Sequence, residues 1–129
     1  MKRQTVSGGS EWEAKVGYSR AVRVGPHVFV AGTTASDENG RPIKPGDFGE
    51  QTRGAIAKIL ASLSEVGADA SHVVRTRVFT TDITKWGEIG AAHAEAFGDV
   101  RPAMTLVEVR RLIDPDHLVE VEAEAIVPE

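Results

Sequence analysis

Three carboxylates occupy alternate positions in the run Val119-Glu120-Val121-Glu122-Ala123-Glu124-Ala125. A period of two makes this a strand with one apolar and one acidic face. Carboxylates so placed have two uses. They pair with arginines on a neighbouring strand, for which Arg75 and Arg77 are available. Alternatively, one is held in a cleft and orients a water for attack on an electrophilic carbon. Spacing alone leaves both readings open.

The four histidines, His27, His72, His93 and His117, show no metal-ligand spacing. His27 falls in a turn and His72 just before a strand, so both read as surface residues. His93 shares a helical face with Trp86 and Ile89. It reads as a packed, hydrogen-bonded histidine or as a catalytic one. Arg110-Arg111 either binds an anion or pairs with the acidic strand. Gly8-Gly9 matches neither a phosphate-binding loop nor a dinucleotide fingerprint, and no Gly-x-Ser-x-Gly elbow occurs. The chain has no cysteine, which excludes a thiol nucleophile, a thiolate metal site and a disulfide framework.

Two segments have the helical period that such side chains need as a scaffold. Over Phe48–Val66, the residues Ile56, Ile59, Leu60 and Leu63 share one face. Asp47 is the expected N-cap, with Glu50 in capping-box position and Gly67 as the stop. Over Lys85–Phe97, the residues Trp86, Ile89, His93 and Phe97 share one face, with Thr84 as the expected cap and Gly98 at the end. Strands are expected at Gln4–Val6, Ser19–Val24, Val28–Ala31, Val73–Thr80, Thr105–Val109 and Val119–Val127. Gly25-Pro26-His27 closes a hairpin. In Val73–Thr80 the alternation puts Val74, Thr76 and Val78 on one face and Arg75, Arg77 and Phe79 on the other. The order is β-β-β-α-β-α-β-β, an α+β fold in which two helices cover one face of one mixed sheet. The other face would carry Phe79 and Leu106, and self-association would cover it.

A chain of 129 residues, 41% hydrophobic, fits a single domain over residues 1–129. With 15 basic and 19 acidic residues, its net charge of −4 argues against a nucleic-acid partner. No apolar run approaches the ~20 residues that cross a bilayer. Met1-Lys2-Arg3-Gln4 has no apolar stretch behind it, so a cytoplasmic protein without a secretory leader is expected.

Seven motifs then stand in order: Gly17-Tyr18-Ser19-Arg20-Ala21-Val22, Val28-Phe29-Val30-Ala31-Gly32, Glu50-Gln51-Thr52-Arg53, Val78-Phe79-Thr80-Thr81-Asp82, Arg101-Pro102-Ala103, Val107-Glu108-Val109 and Val119-Glu120-Val121-Glu122-Ala123. Together they resemble the RidA/YjgF family, the reactive intermediate deaminases once labelled L-PSP endoribonucleases. The resemblance runs from about Tyr18 to Val127. It implies a chorismate-mutase-like fold and a homotrimer whose sheets form a central barrel, with small-molecule metabolite sites in the clefts between subunits. It also implies hydrolysis of enamines or imines to a 2-oxo acid and ammonia, without cofactor or metal.

Residue by residue, the resemblance makes Glu120 the water-orienting glutamate and Tyr18 the pocket tyrosine, the two catalytic candidates. Ala31-Gly32 is the small pair, Trp86 stands for a pocket aromatic that is usually Phe, and Glu122 takes a structural position. One departure is sharp. Catalytic members read Pro-Ala-Arg-Ser where this chain reads Pro102-Ala103-Met104-Thr105, and Leu106 stands where Cys is common. A thioether cannot clasp a carboxylate, and losing one partner of a desolvated charge pair costs several kcal/mol. Arg101 accompanies the anchoring arginine in many members, so it is not an evident substitute. Arg20 would have to enter the cleft from the first hairpin strand, whereas a strand arginine ordinarily faces outward. The ligand pocket is therefore expected to comprise Ala31, Gly32, Trp86, Met104, Thr105 and Leu106. It should take a substrate other than a small 2-imino acid. The competing readings are a non-catalytic metabolite-binding module and, against the acidic charge, a ribonuclease or translation inhibitor. Chorismate mutase activity would rest on fold alone.

Overall fold

The computed structural model describes residues 1–128. Its strands are β1 (Arg3–Val6), β2 (Ala21–Val24), β3 (His27–Thr34), β4 (Val73–Thr80), β5 (Ala103–Glu108) and β6 (Val119–Ile126). Its helices are α1 (Glu11–Val16), α2 (Phe48–Glu65) and α3 (Trp86–Phe97). The strands form one sheet in the order β1-β2-β3-β6-β4-β5. β4 and β5 are parallel and the other neighbours antiparallel. The α+β order expected from periodicity is thus present, with α2 and α3 as the two crossovers.

The core lies between the sheet and the apolar stripes of the two long helices. Ile56, Ile59 and Leu63 of α2 and Ile89 and Phe97 of α3 are buried against Val28, Val30, Val78, Val119 and Val121. β6 alternates as read, with Val119, Val121, Ala123 and Ala125 inward. Asp47 caps α2 by accepting from the Glu50 amide, and Gly67 stands beyond its end in the left-handed region. The Glu50 side chain bonds Arg53 instead of closing a capping box.

Four details differ from the periodic reading. A short helix, α1, precedes β2. Its Ser10 cap and Glu13 form a capping box, and the buried Glu13 carboxylate also takes the Gly8 amide. A bulge between Val73 and Arg75 turns Val73 inward and Val74 out to solvent, because the extra residue reverses the alternation. α3 is not capped by Thr84. Asp82 caps a 3₁₀ turn over Ile83–Lys85 that leads into it. Leu106 does not join Phe79 on the open face, for it pairs with the buried Val78 and packs on the core side. Phe29, Val107 and Ile126, with Phe79 and Val22, are among the apolar residues of the open face.

Gln51 ties the loops to this frame. It is fully buried on α2. Its Nε2 donates to the carbonyls of Ile43 (3.0 Å) and Asp116 (2.9 Å), and its Oε1 accepts from the Leu118 amide at 2.8 Å. The segment entering β6 is thereby held to the helix. Removing the amide orphans three backbone groups, each at roughly 1–3 kcal/mol. Gln51→Leu should lower the unfolding free energy by about 3 kcal/mol in urea denaturation. A loss below about 0.5 kcal/mol would show that the loops hold without it.

Candidate functional site

The three β6 carboxylates have different surroundings. Arg77 on β4 takes two of them, its Nη1 lying 3.0 Å from Glu122 Oε1 and 3.1 Å from Glu124 Oε1. These are the cross-strand pairs that the alternation allowed. Glu120 stands opposite Phe79 on β4 and Thr34 on β3. Among the described residues its carboxylate has no hydrogen bond and no ion pair.

The floor under Glu120 is built by β3. Between Val30 and Thr33 this strand carries one residue more than β6 does between Ala123 and Val121, so it bulges at Ala31-Gly32. A side chain on Gly32 would put its Cβ 3.0 Å from Glu120 Cδ. Only glycine lets the carboxylate lie this close to the strand. Arg20 holds the bulge. Its Nη2 donates to Ala31 O (3.2 Å), Gly32 O (2.8 Å) and Thr33 Oγ1 (2.6 Å). The Tyr18 ring stands 5.8 Å from the Arg20 guanidinium carbon, within cation–π range. The structure thus brings Tyr18, Arg20, Ala31, Gly32 and Glu120 together.

Burial pushes the Glu120 carboxyl above the ordinary glutamate range, and the charge of Glu122 adds to this, while Arg20 works against both. A half-buried carboxylate with open lone pairs can accept a proton from a water and return it, the chemistry of a general base. Burial also pushes Lys58 down, with help from Arg20. Its ammonium group is spent on the Thr34 carbonyl at 2.9 Å.

The other residues expected in the pocket lie elsewhere in the chain. Met104 pairs with Thr76 and Leu106 with Val78, both buried under the helices, so Met104 and Leu106 sit on the helix side of edge strand β5. Trp86, at the start of α3, is 66% exposed, and Met104 is 37% exposed. Thr105 pairs with Arg77 and so faces the opposite way from Met104. Glu120 lies on the open face, with β4 between β6 and β5. One chain therefore does not line a single pocket with both groups. It presents one half-site around Glu120, while Met104 and Leu106 lie on the helix side of β5 and Trp86 stands exposed at the start of α3.

His93 accepts or donates a 2.8 Å bond with Thr76 Oγ1 and packs on Phe97 at 4.9 Å, and burial lowers its pKa. This is the packed histidine. Sequence spacing gave no sign of a second pair, Ser36 Oγ and the buried His117 Nε2 at 3.0 Å, since 81 positions separate them. No group of three or more His, Cys, Asp or Glu among the described residues is placed to hold a metal. No helix among them is long and apolar enough to cross a membrane.

The chain as a whole is similar to known proteins. The family profile described as Endoribonuclease L-PSP matches residues 8–127. A solved YjgF/YER057c/UK114-family structure from Mycobacterium tuberculosis is 51% identical, with a TM-score of 0.89, over 98% of this chain and 100% of its own. A RutC family protein of Pyrococcus abyssi is 40% identical over 82% of this chain and 83% of its own. The 3-aminoacrylate deaminase RutC of Acinetobacter baylyi is 33% identical over 84% of this chain and 85% of its own.

The raised Glu120 pKa has a consequence for stability. A carboxyl whose pKa is higher folded than unfolded costs the fold free energy once it is ionised, and nothing while it is protonated in both states. Glu120→Gln should therefore raise the melting temperature at about pH 7, and the gain should fade as pH drops through the carboxylate range to about pH 4. Equal melting temperatures at neutral pH would contradict a net cost of burying this group.

Proposed function

We propose, on the premise that this chain belongs to the RidA/YjgF family, described as Endoribonuclease L-PSP, that it is a hydrolase of carbon–nitrogen double bonds of the imine/enamine deaminase type. The observation that carries this reading is the Glu120 carboxylate, half-buried, resting on Gly32 and without a hydrogen-bond or ion-pair partner among the described residues. Glu120 takes a proton from water as the oxygen adds to the imine carbon. Glu120 returns that proton to the nitrogen, which gives a neutral carbinolamine, and then carries the carbinolamine hydroxyl proton to the nitrogen as the carbonyl forms and the carbon–nitrogen bond breaks. A carbonyl compound and ammonia leave. Tyr18 lines the same half-site, and the chemistry needs no metal or cofactor, as the resemblance implies.

The site is completed between copies in a homotrimer. The exposed Phe29 and Val107 and the half-buried Phe79 of the open face support this. In this arrangement the Trp86, Met104 and Leu106 edge of one copy faces the Glu120 half-site of another. Light scattering should return about three times the 13.8 kDa chain mass. A monomer at micromolar concentration would remove this part of the reading.

The substrate is one other than a small 2-imino acid. Met104 stands where the family clasps the acid, and neither Arg20 nor Arg101 replaces the two-pronged grip. A guanidinium meets a carboxylate through Nη1 and Nη2 or through Nε and Nη2. Both forks use Nη2, which in Arg20 is engaged by three acceptors. Arg101 is exposed in the bend after α3. The edge half-site favours an apolar or neutral group. Methionine at this position is also what favours the second reading, a binding module without turnover, and one experiment separates the two. Ammonia release is followed when the purified protein is added to a serine dehydratase reaction that produces 2-aminoacrylate, and with a panel of neutral imines. Wild type should be weak on 2-aminoacrylate, and Met104→Arg should improve it about tenfold or more. Glu120→Gln should lose turnover of the preferred imine while keeping affinity. Loss of affinity alone would favour the binding module, and wild-type hydrolysis of 2-aminoacrylate as fast as that of an arginine-bearing relative would defeat the substrate reading.

A further inference from the structure

We infer that Arg20 is the positioning residue for Glu120: it holds the β3 bulge so that Gly32 lies beneath the carboxylate, and it places one positive charge beside that carboxylate without pairing with it. The inference rests on the role proposed above for Glu120.

The clamp is a matter of geometry. A bulge leaves carbonyls out of the ladder, and buried carbonyls need donors. Here Ala31 O and Gly32 O both accept from Arg20 Nη2, and Thr33 Oγ1, which itself donates to Ala31 O at 2.7 Å, accepts from it too. The backbone of Arg20 is fixed in turn, its amide donating to Val6 O at 2.8 Å and its carbonyl accepting from the Ala31 amide at 3.0 Å. Its side-chain stem runs past Gly8, where an added Cβ would lie 2.8 Å from Arg20 Cγ. The guanidinium therefore has little freedom to swing onto Glu120. It stays a fixed charge at a distance, and the carboxylate keeps its lone pairs for water.

The electrostatic half follows from what surrounds Glu120. Glu122 on the same strand repels it. Thr34 and Gly32 of β3 and Phe79 of β4 carry no charge; Lys58 of α2, whose ammonium donates to the carbonyl of Thr34 opposite Glu120, and Tyr18 are the other ionisable groups of the half-site. Arg20 is the cation that opposes burial here. Without it, less of Glu120 would be ionised at neutral pH, and a protonated carboxyl cannot take a proton from water.

Arg20→Gln, Arg20→Lys and wild type separate position from charge. The probe is the Glu120 side-chain carboxyl carbon, titrated by NMR and assigned by its loss in Glu120→Gln, which requires no substrate. In Arg20→Gln the Glu120 midpoint should move up. The acidic limb of any deaminase pH profile should move up with it, with activity near neutrality about tenfold lower. Arg20→Lys, which keeps a charge and donors, should leave the midpoint close to wild type and recover most of that loss. Should Arg20→Gln not fold, the lysine variant still decides, since an upward Glu120 shift in it would overturn the charge role. A Glu120 titration unmoved in folded Arg20→Gln, or a loss of activity equal at every pH, would reduce Arg20 to a structural clamp and overturn the inference. If the titration moves as expected in a protein that deaminates nothing, the inference stands and the proposed function falls.

Discussion

The extra residue in β3 is the constraint around which the rest is arranged. Inserting one position between Val30 and Thr33 keeps Val28 and Val30 in the core on one side and Thr33 in the core on the other, which regular alternation could not do. The insertion frees two carbonyls that must find donors, and Arg20 supplies them. It also brings a glycine backbone under β6 where a side chain would otherwise stand. The glutamate above is drawn out of water but not paired. Packing, hydrogen bonding and electrostatics at this point share one local irregularity.

Much of the scaffold is legible from sequence because it depends on period. The spacing of Ile56, Ile59 and Leu63 marks α2, and the alternation from Val119 to Ala125 marks β6 with its inward face. The failures occur where period is broken or absent. α1 has only six residues and little apolar repeat, although Ser10 and Glu13 stand at capping-box spacing and carried the signal. The bulge at Val73–Arg75 reverses Val74, and nothing in the run of β-branched residues announces it. Trp86 fits the apolar face of α3 on a helical wheel yet lies exposed, because the wheel does not show where the covering sheet ends.

The candidate site was legible in its residue types and not in its geometry. Whether Glu120 and Met104 share a pocket depends on strand order and register. β4 lies between β6 and β5, and Met104 falls in step with Thr76 on the helix side. That long-range pairing has no local trace. Arg20 was legible as a cation near the first hairpin, but its engagement through one nitrogen could not be read, since the three acceptors belong to a bulge that only the folded sheet contains. This engagement bears directly on substrate, because both guanidinium forks pass through that nitrogen.

The acidic face of β6 distinguishes its own members by charge balance, independently of any resemblance. Three like charges on alternate positions of one strand repel, and β4 offers Arg77 opposite the middle one. That arginine reaches Glu122 and Glu124 together, which leaves Glu120, one step beyond its reach, opposite an aromatic ring. A fold selected only for stability would place an apolar residue or a bonded polar one at such a half-buried position. An ionisable group kept there at a cost, over a glycine that makes room for it and beside a cation held from contact, is the arrangement expected of a group whose work is to exchange a proton with a small molecule.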